Sequence, residues 1–234
     1  LTYMREHEIW GWHQHTTDGF VESICSIPEG DEDAVYMAVR REVNGQTKRY
    51  IERIHTRKFS AVEEAFFVDC GLTYSGNPAQ TISGLDHLEG KGVAILADGN
   101  VVAGKTVSGG AVTLDQPASK IHIGLPYTSH IKLLRPDFNT KEYGSTVGKR
   151  KSLNASHIHY LNSRGGWVGT NENNMEQLLQ REFEGWGVAT ELQTGIKRQD
   201  IGPDWDDDGQ LIIEQRDPLP MTVLSATPEL TIAD

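Results

Sequence analysis

Turn-forming glycines recur along this chain at short intervals, and they limit its fold more than any other feature. Thr17-Asp18-Gly19, Asn44-Gly45, Asp98-Gly99, Gly109-Gly110 and Gly165-Gly166 separate runs of β-branched and aromatic residues. Asn-Gly and Asp-Gly favour positive φ at the central turn positions, the geometry that joins two strands of right-handed twist. Short strands between such turns predict an all-β protein of antiparallel sheets, a sandwich, barrel or propeller rather than βαβ units. Helix is expected in less than about a tenth of the chain, well under the usual third.

The clearest hairpin runs over 34–42 and 46–55 about Asn44-Gly45. A two-residue loop pairs Val43 with Gln46, Val39 with Tyr50 and Val35 with Ile54. Val35, Met37, Val39, Tyr50 and Ile54 then share one face, interrupted by Glu52 opposite Met37. Arg40 falls opposite Arg49 on the other face, a like-charge pair that needs an acidic neighbour. A second hairpin is expected from 8–15 to 20–27 across Thr16–Gly19. It places Trp10 and Trp12 on one face and His13 and His15 on the other.

Residues 60–65 read as a connector with a short helical turn, since Ser60 and Glu63 have capping-box spacing. Strands are expected at 66–74, 92–97, 100–102, 106–107, 111–114, 120–124 and 128–134. Residues 135–150 are polar and read as a linker or long loop. Further strands are expected at 155–162, 167–169, 187–192, 210–215 and 221–226. Met175, Leu178, Leu179 and Phe183 have the spacing of an amphipathic helix. Three sections follow: a propeller-like sheet over 1–60, a β-sandwich-like domain over 61–135, and a β-rich section over 136–234. A length of 234 residues accommodates this division.

Charge narrows the partners. With 22 basic and 33 acidic residues the net charge is −11, which disfavours general binding of phosphate backbones. The longest apolar runs, such as 93–97, fall far short of the roughly 20 residues of a membrane span. Cys25 and Cys70 are too few for a disulfide framework or a zinc site and read as free, buried thiols. The chain starts at Leu1, inside an expected strand, and is read as a fragment of something longer.

Motifs that carry chemistry are sparse. Asp204, Asp206 and Asp208 with Gly209 match the front of a calcium loop, but position twelve is Gln215 where a bidentate Glu is needed. An acidic hairpin turn is the expectation for 204–209. His13 with His15, and His157 with His159, have the two-residue spacing of a strand-borne metal clip, yet no nearby Cys or carboxylate completes either. The sequence contains no nucleophile elbow, phosphate loop, dinucleotide fingerprint or zincin motif. Carboxylate pairs such as Glu63-Glu64 and Asp206-Asp207 could serve glycoside hydrolysis, but any acidic β-protein offers such pairs. No catalytic, cofactor-binding or metal residue is assigned, and no enzyme activity is expected.

Several blocks resemble a known family. Trp10-Gly11-Trp12-His13-Gln14-His15-Thr16 is followed by 35–41, Asn44-Gly45 and Arg49-Tyr50-Ile51-Glu52-Arg53. The most specific block is Gly84-Leu85-Asp86-His87-Leu88-Glu89-Gly90, then Leu96-Ala97-Asp98-Gly99, Pro117-Ala118-Ser119 and Ile123-Gly124-Leu125-Pro126-Tyr127. Asn162-Ser163-Arg164-Gly165-Gly166-Trp167-Val168-Gly169 and Asp217-Pro218-Leu219-Pro220-Met221-Thr222-Val223-Leu224 continue in order. These resemble the tail nozzle, or tail tubular protein B, and DNA-stabilisation proteins of short-tailed bacteriophages. Residues 152–159 and 171–199 depart from the pattern. The resemblance implies a virion tail protein, assembled in the host cytoplasm, that forms a ring with copies of itself and contacts other tail proteins. It implies passage of DNA without specific binding, contact with the host cell surface, no membrane insertion, no enzyme activity and no cofactor. The alternatives are a glycan- or receptor-binding module, with Trp and Tyr as the recognising side chains, or a polysaccharide hydrolase.

Overall fold

The computed structural model describes residues 2–4, 6, 8–11, 14–140, 144–180, 185, 187–202 and 204–233. Strands hold 60% of the residues and helix 3%, so the chain is all-β. It forms two compact units, Leu1–Ile54 and His55–Asp234.

In the first unit, β1 (Thr2–Met4) pairs with β2 (Ile9–Gly11), and β3 (Phe20–Glu29), β4 (Glu32–Val43) and β5 (Gln46–Arg53) form an antiparallel sheet centred on β4. The β4–β5 register is the one the Asn-Gly turn predicts. Val43 faces Gln46 and Val39 faces Tyr50, while Ile54 N donates to Val35 O at 2.9 Å. Asn44 and Gly45 both have positive φ, 50° and 68°. The acidic neighbour of Arg40 and Arg49 is Glu22 of β3, at 3.4 and 2.7 Å.

The expected hairpin across Thr16–Gly19 does not form. Gly11 and its neighbours pair back onto β1, and β3 pairs with β4 instead. Trp12 and His13 lie outside the described residues. Thr17-Asp18-Gly19 has a different task. Gly19 lies so close to β4 that a Cβ there would sit 2.9 Å from Val39 Cγ1. The same segment holds Arg41, which is only 3% exposed. Its guanidinium donates to Asp18 O and Thr17 Oγ1, both at 2.7 Å, and to both oxygens of Glu52, each at 2.7 Å. Glu52, the apparent interruption of an apolar face, is therefore the counter-ion of a buried cation on that face.

In the second unit, β6 (Asp69–Ser83), β7 (Gly92–Ala97), β8 (Asn100–Thr106) and β9 (Ala111–Leu125) form a sheet in the order β6-β9-β7-β8. Ile82, Leu85, Leu88, Ile95, Leu114 and Ile121 form the centre of its core. Expected breaks at Tyr74 and Leu114 are bridged, because both strands are longer than the apolar pattern suggests. Pro78 and Pro117 fall where the β6–β9 register slips between Ser75 and Thr81. A proline cannot donate to the ladder, and a bulge accommodates that loss without ending the strand.

A second sheet runs β10-β18-β14-β15, from β10 (Ser129–Lys132), β14 (Trp167–Asn171), β15 (Asn174–Gln177) and β18 (Ile212–Gln215). A third centres on β13 (Lys151–Ser163). Its flanks are β16 (Gln193–Asp200) with β17 (Trp205–Asp206), and β19 (Val223–Ile232). Leu153, Ile158, Tyr160, Val168, Leu211 and Ile213 from these two sheets share one core. The expected helix from Met175 is not formed: Met175 pairs with Gly169 in a hairpin, and Leu179 is 84% exposed. Phe183 lies outside the described residues. The strand expected at 187–192 is replaced by β16, a polar strand without the apolar run that marks buried ones.

Residues 135–150 are not a plain linker. β11 (Asn139–Thr140) pairs with β12 (Gly144–Ser145), and buried Thr146 receives the Phe138 amide at 2.9 Å on its hydroxyl. Cys25 is exposed and Cys70 half-buried, so the expected burial of both thiols is not met, and neither is in a disulfide.

Candidate functional site

The connector after Ile54 lies on the second unit through a small core of its own. Val62, Ala65, Leu96 and Leu219 are buried together, with Phe59, Phe67 and Ala189 packed against them. Val62–Glu64 forms one 3-10 turn. Its cap is not the expected Ser60–Glu63 pair: Ser60 N and Oγ both donate to Glu64 Oε2, at 3.1 and 2.8 Å. The shift follows from where the turn starts: Ala61, not Ser60, stands at the N-cap, so Glu64 rather than Glu63 is the third residue of the turn. These hydrogen bonds hold the Glu64 carboxyl below the usual carboxylate range.

One wall of a cleft of about 630 Å³ is built from this connector, through Arg57, Lys58, Phe59 and Ser60. Leu161 and Asn162 at the end of β13, with Thr222 before β19, form the opposite wall. Hydrogen bonds fix that wall. Leu161 N donates to Thr222 O at 3.0 Å, and Thr222 N donates to Ser163 Oγ at 2.8 Å. Asn162 takes the left-handed conformation, φ 44°, at the register slip between Tyr160 and Ser163. Thr194 Oγ1 receives its amide N–H at 3.0 Å and donates to its Oδ1 at 3.1 Å, which leaves the side-chain Nδ2 as its remaining donor. No sequence motif marks this cleft, because its two walls lie about a hundred positions apart.

His122 of β9 ties the connector to the first sheet. It is 2% exposed. Nε2 meets Glu63 O at 3.0 Å and Nδ1 meets Thr73 Oγ1 at 2.8 Å, while Phe66 packs edge-on against the ring. A carbonyl only accepts, so Nε2 carries the proton and Nδ1 accepts from the hydroxyl. Burial pushes the imidazole below its ordinary value, with Lys120 and His55 adding to the shift and the Glu63 carbonyl opposing it. The neutral ring is thus favoured in the folded chain. Its contribution to stability is complete above the unfolded value of about 6.5 and is lost as pH falls through the lower folded value. Denaturant midpoints measured from about pH 7 to 5 should fall more steeply for the wild type than for His122→Asn. Equal slopes would remove His122 as the cause.

The motifs singled out in the sequence are placed as follows. In the Gly84–Gly90 block, Glu89 accepts the backbone amides of Gly109 and Gly110 at 3.0 and 2.7 Å, and His87 Nε2 lies 3.0 Å from Cys70 O. Asp98 accepts from Ser119 N and Lys120 N at 3.1 and 2.8 Å. These residues brace turns.

In the 204–209 segment one carboxylate, Asp208, is paired by the chain itself. Arg135 meets Asp208 at 2.5 Å, and the fully buried Lys151 ammonium lies 2.9 Å from Asp137 Oδ1 and 3.5 Å from Asp207 O. His157 is 2.9 Å from Glu229, which Arg198 also engages. His159 shares its face of β13. Among the described residues no three His, Cys, Asp or Glu side chains converge, and no helix is long and apolar enough to cross a membrane. No protein-family model matches the chain, and no curated protein matches it.

Proposed function

We propose that the chain is a structural subunit of a short-tailed bacteriophage tail, of the nozzle and DNA-stabilisation type. The observation that carries this reading is the apolar surface that the β3–β4–β5 sheet leaves exposed. β3 is exposed along its whole length. Ile24 projects from the Val39 face and is 65% exposed. Phe20 and Ile51 project from the opposite face and are 61% and 75% exposed. Among the described residues both outer strands pair only with β4. Apolar faces and open edges of this kind are surfaces for neighbours in an assembly. A closed ring supplies such neighbours, since each subunit meets the next through two different patches. The net charge of −11 suits a wall that passes DNA without holding it, and the ordered sequence blocks from Trp10 to Leu224 support the same family.

Antibody against this chain should decorate the tails of virions that encode it, and its peptides should copurify with intact particles. Particles that lack it while the chain accumulates in the host would overturn the proposal.

A further inference from the structure

We propose that the 55–67 connector is an acid-released strap, held on the β6–β9–β7 sheet at neutral pH and let go as His122 takes a proton, independently of any role in a tail. The sheet has two unlike faces. Ile95, Ile121 and Ile123 belong to one of them and enter the main core. The other carries a row across the strands: Thr73 beside His122, His122 beside Leu96, and Leu96 beside Val101. The connector covers that row. Val62 and Ala65 are buried with Leu96, while Glu63 O and Phe66 meet the imidazole. His122 is thus the ionisable member of the row that the connector covers.

The docked ring has both nitrogens engaged, by Thr73 Oγ1 and Glu63 O, and neither partner is a carboxylate. The titratable groups of the surrounding elements are Lys120 on its own strand and His55, Glu63 and Glu64 on the connector. Lys120 and His55 both oppose a proton on the ring. Glu63 meets it through the carbonyl, and the Glu64 carboxylate is bonded to Ser60. Thr73 on β6, Leu96 on β7 and the neighbouring Ala189 and Leu219 bring no charge. A second ring proton therefore places a cation under the connector without a counter-ion, which is costly. Lifting the connector takes Glu63 and Phe66 off the ring and returns it to water. The lifted form binds the proton more readily, so acid shifts the balance toward it. The Ser60–Glu64 bonds act in the same direction. They favour the ionised carboxyl, so their contribution is present above its ordinary value of 4.5 and fades as pH falls through the lower docked value. His122 loosens the strap first, as pH falls below about 6.5, and Glu64 afterwards.

Amide hydrogen exchange on the whole chain, corrected for the intrinsic rate at each pH, tests this. Ala65 is the reporter, fully buried with its amide bonded to Val62 O at 3.2 Å. Ile121 reports the sheet beneath. Ala65 should exchange faster than Ile121, through a local opening that low urea hardly changes, whereas the opening at Ile121 should rise steeply with urea. From pH 7.5 to 5.0 the urea-independent opening at Ala65 should increase by about three- to thirtyfold, the upper figure being that of a ring that stays neutral until released. His122→Asn keeps a donor for Glu63 O and an acceptor for Thr73 and does not titrate, so it should abolish that increase. An opening at Ala65 that is constant with pH, the same protection and urea slope at Ala65 and Ile121, or an undiminished response in His122→Asn would each overturn the proposal. The comparison of Ala65 with Ile121 uses the wild-type chain and stands even if the variant fails to fold.

Discussion

Arg41→Met should unfold the Leu1–Ile54 unit while leaving the His55–Asp234 unit folded. The guanidinium is almost fully buried, and its contacts to Glu52, Asp18 and Thr17 join β4, β5 and the segment before β3. Removing one partner leaves the Glu52 carboxylate, on a side chain 16% exposed, without its counter-ion. Breaking a buried pair this way costs about 3–5 kcal/mol. The unit has little reserve, since Ala34, Val39 and Val43 are the only buried apolar residues described in it, and small cores are marginal. Amide exchange should become fast across 32–53 and stay slow across 92–97 and 111–125. Arg41→Met with Glu52→Leu should recover part of the loss, because an apolar pair restores balance. Unchanged protection in the single variant would mean that the pair contributes little.

Gly99→Ala should destabilise the second unit strongly. Asp98 and Gly99 form the two-residue turn between β7 and β8, with φ 45° and 74°. A Cβ on Gly99 would sit 2.6 Å from Val62 Cγ1 and 2.9 Å from Ala189 Cβ, and the Gly99 carbonyl accepts from Arg164. Strain at positive φ and overpacking therefore add, to about 2–4 kcal/mol, or a fall in melting temperature of roughly 5–15 °C. Gly90 separates the two terms, for it has the same φ of 74° with nothing within 4 Å of an added Cβ. Gly90→Ala should cost only the backbone part, about 1 kcal/mol. Equal losses at both positions would mean that the packing around Val62 yields.

What the sequence revealed of this fold was local. The Asn44-Gly45 register and the need for an acid beside Arg40 and Arg49 follow from turn geometry and the alternation of side chains. The strand at 92–97 follows from its apolar run. The failures share a physical cause. β16 is polar, so hydrophobic pattern could not find it, and β6 and β9 run on past the expected ends at Tyr74 and Leu114 through a bulge that is invisible in one dimension. Met175, Leu178 and Leu179 fit a helix by spacing, but a partner strand decided otherwise. Thr17-Asp18-Gly19 has turn composition, yet its neighbours in space make it a clamp on Arg41. The cleft was hidden for the same reason: Arg57 and Asn162 meet only through the tertiary fold.

Electron cryomicroscopy of intact virions that encode this chain tests its role most directly. Averaged tails should contain a closed ring of identical copies, with Phe20, Ile24 and Ile51 covered by neighbouring subunits. A complete tail without this chain, or a tail in which that sheet faces solvent on both sides, would contradict the assembly role argued from it.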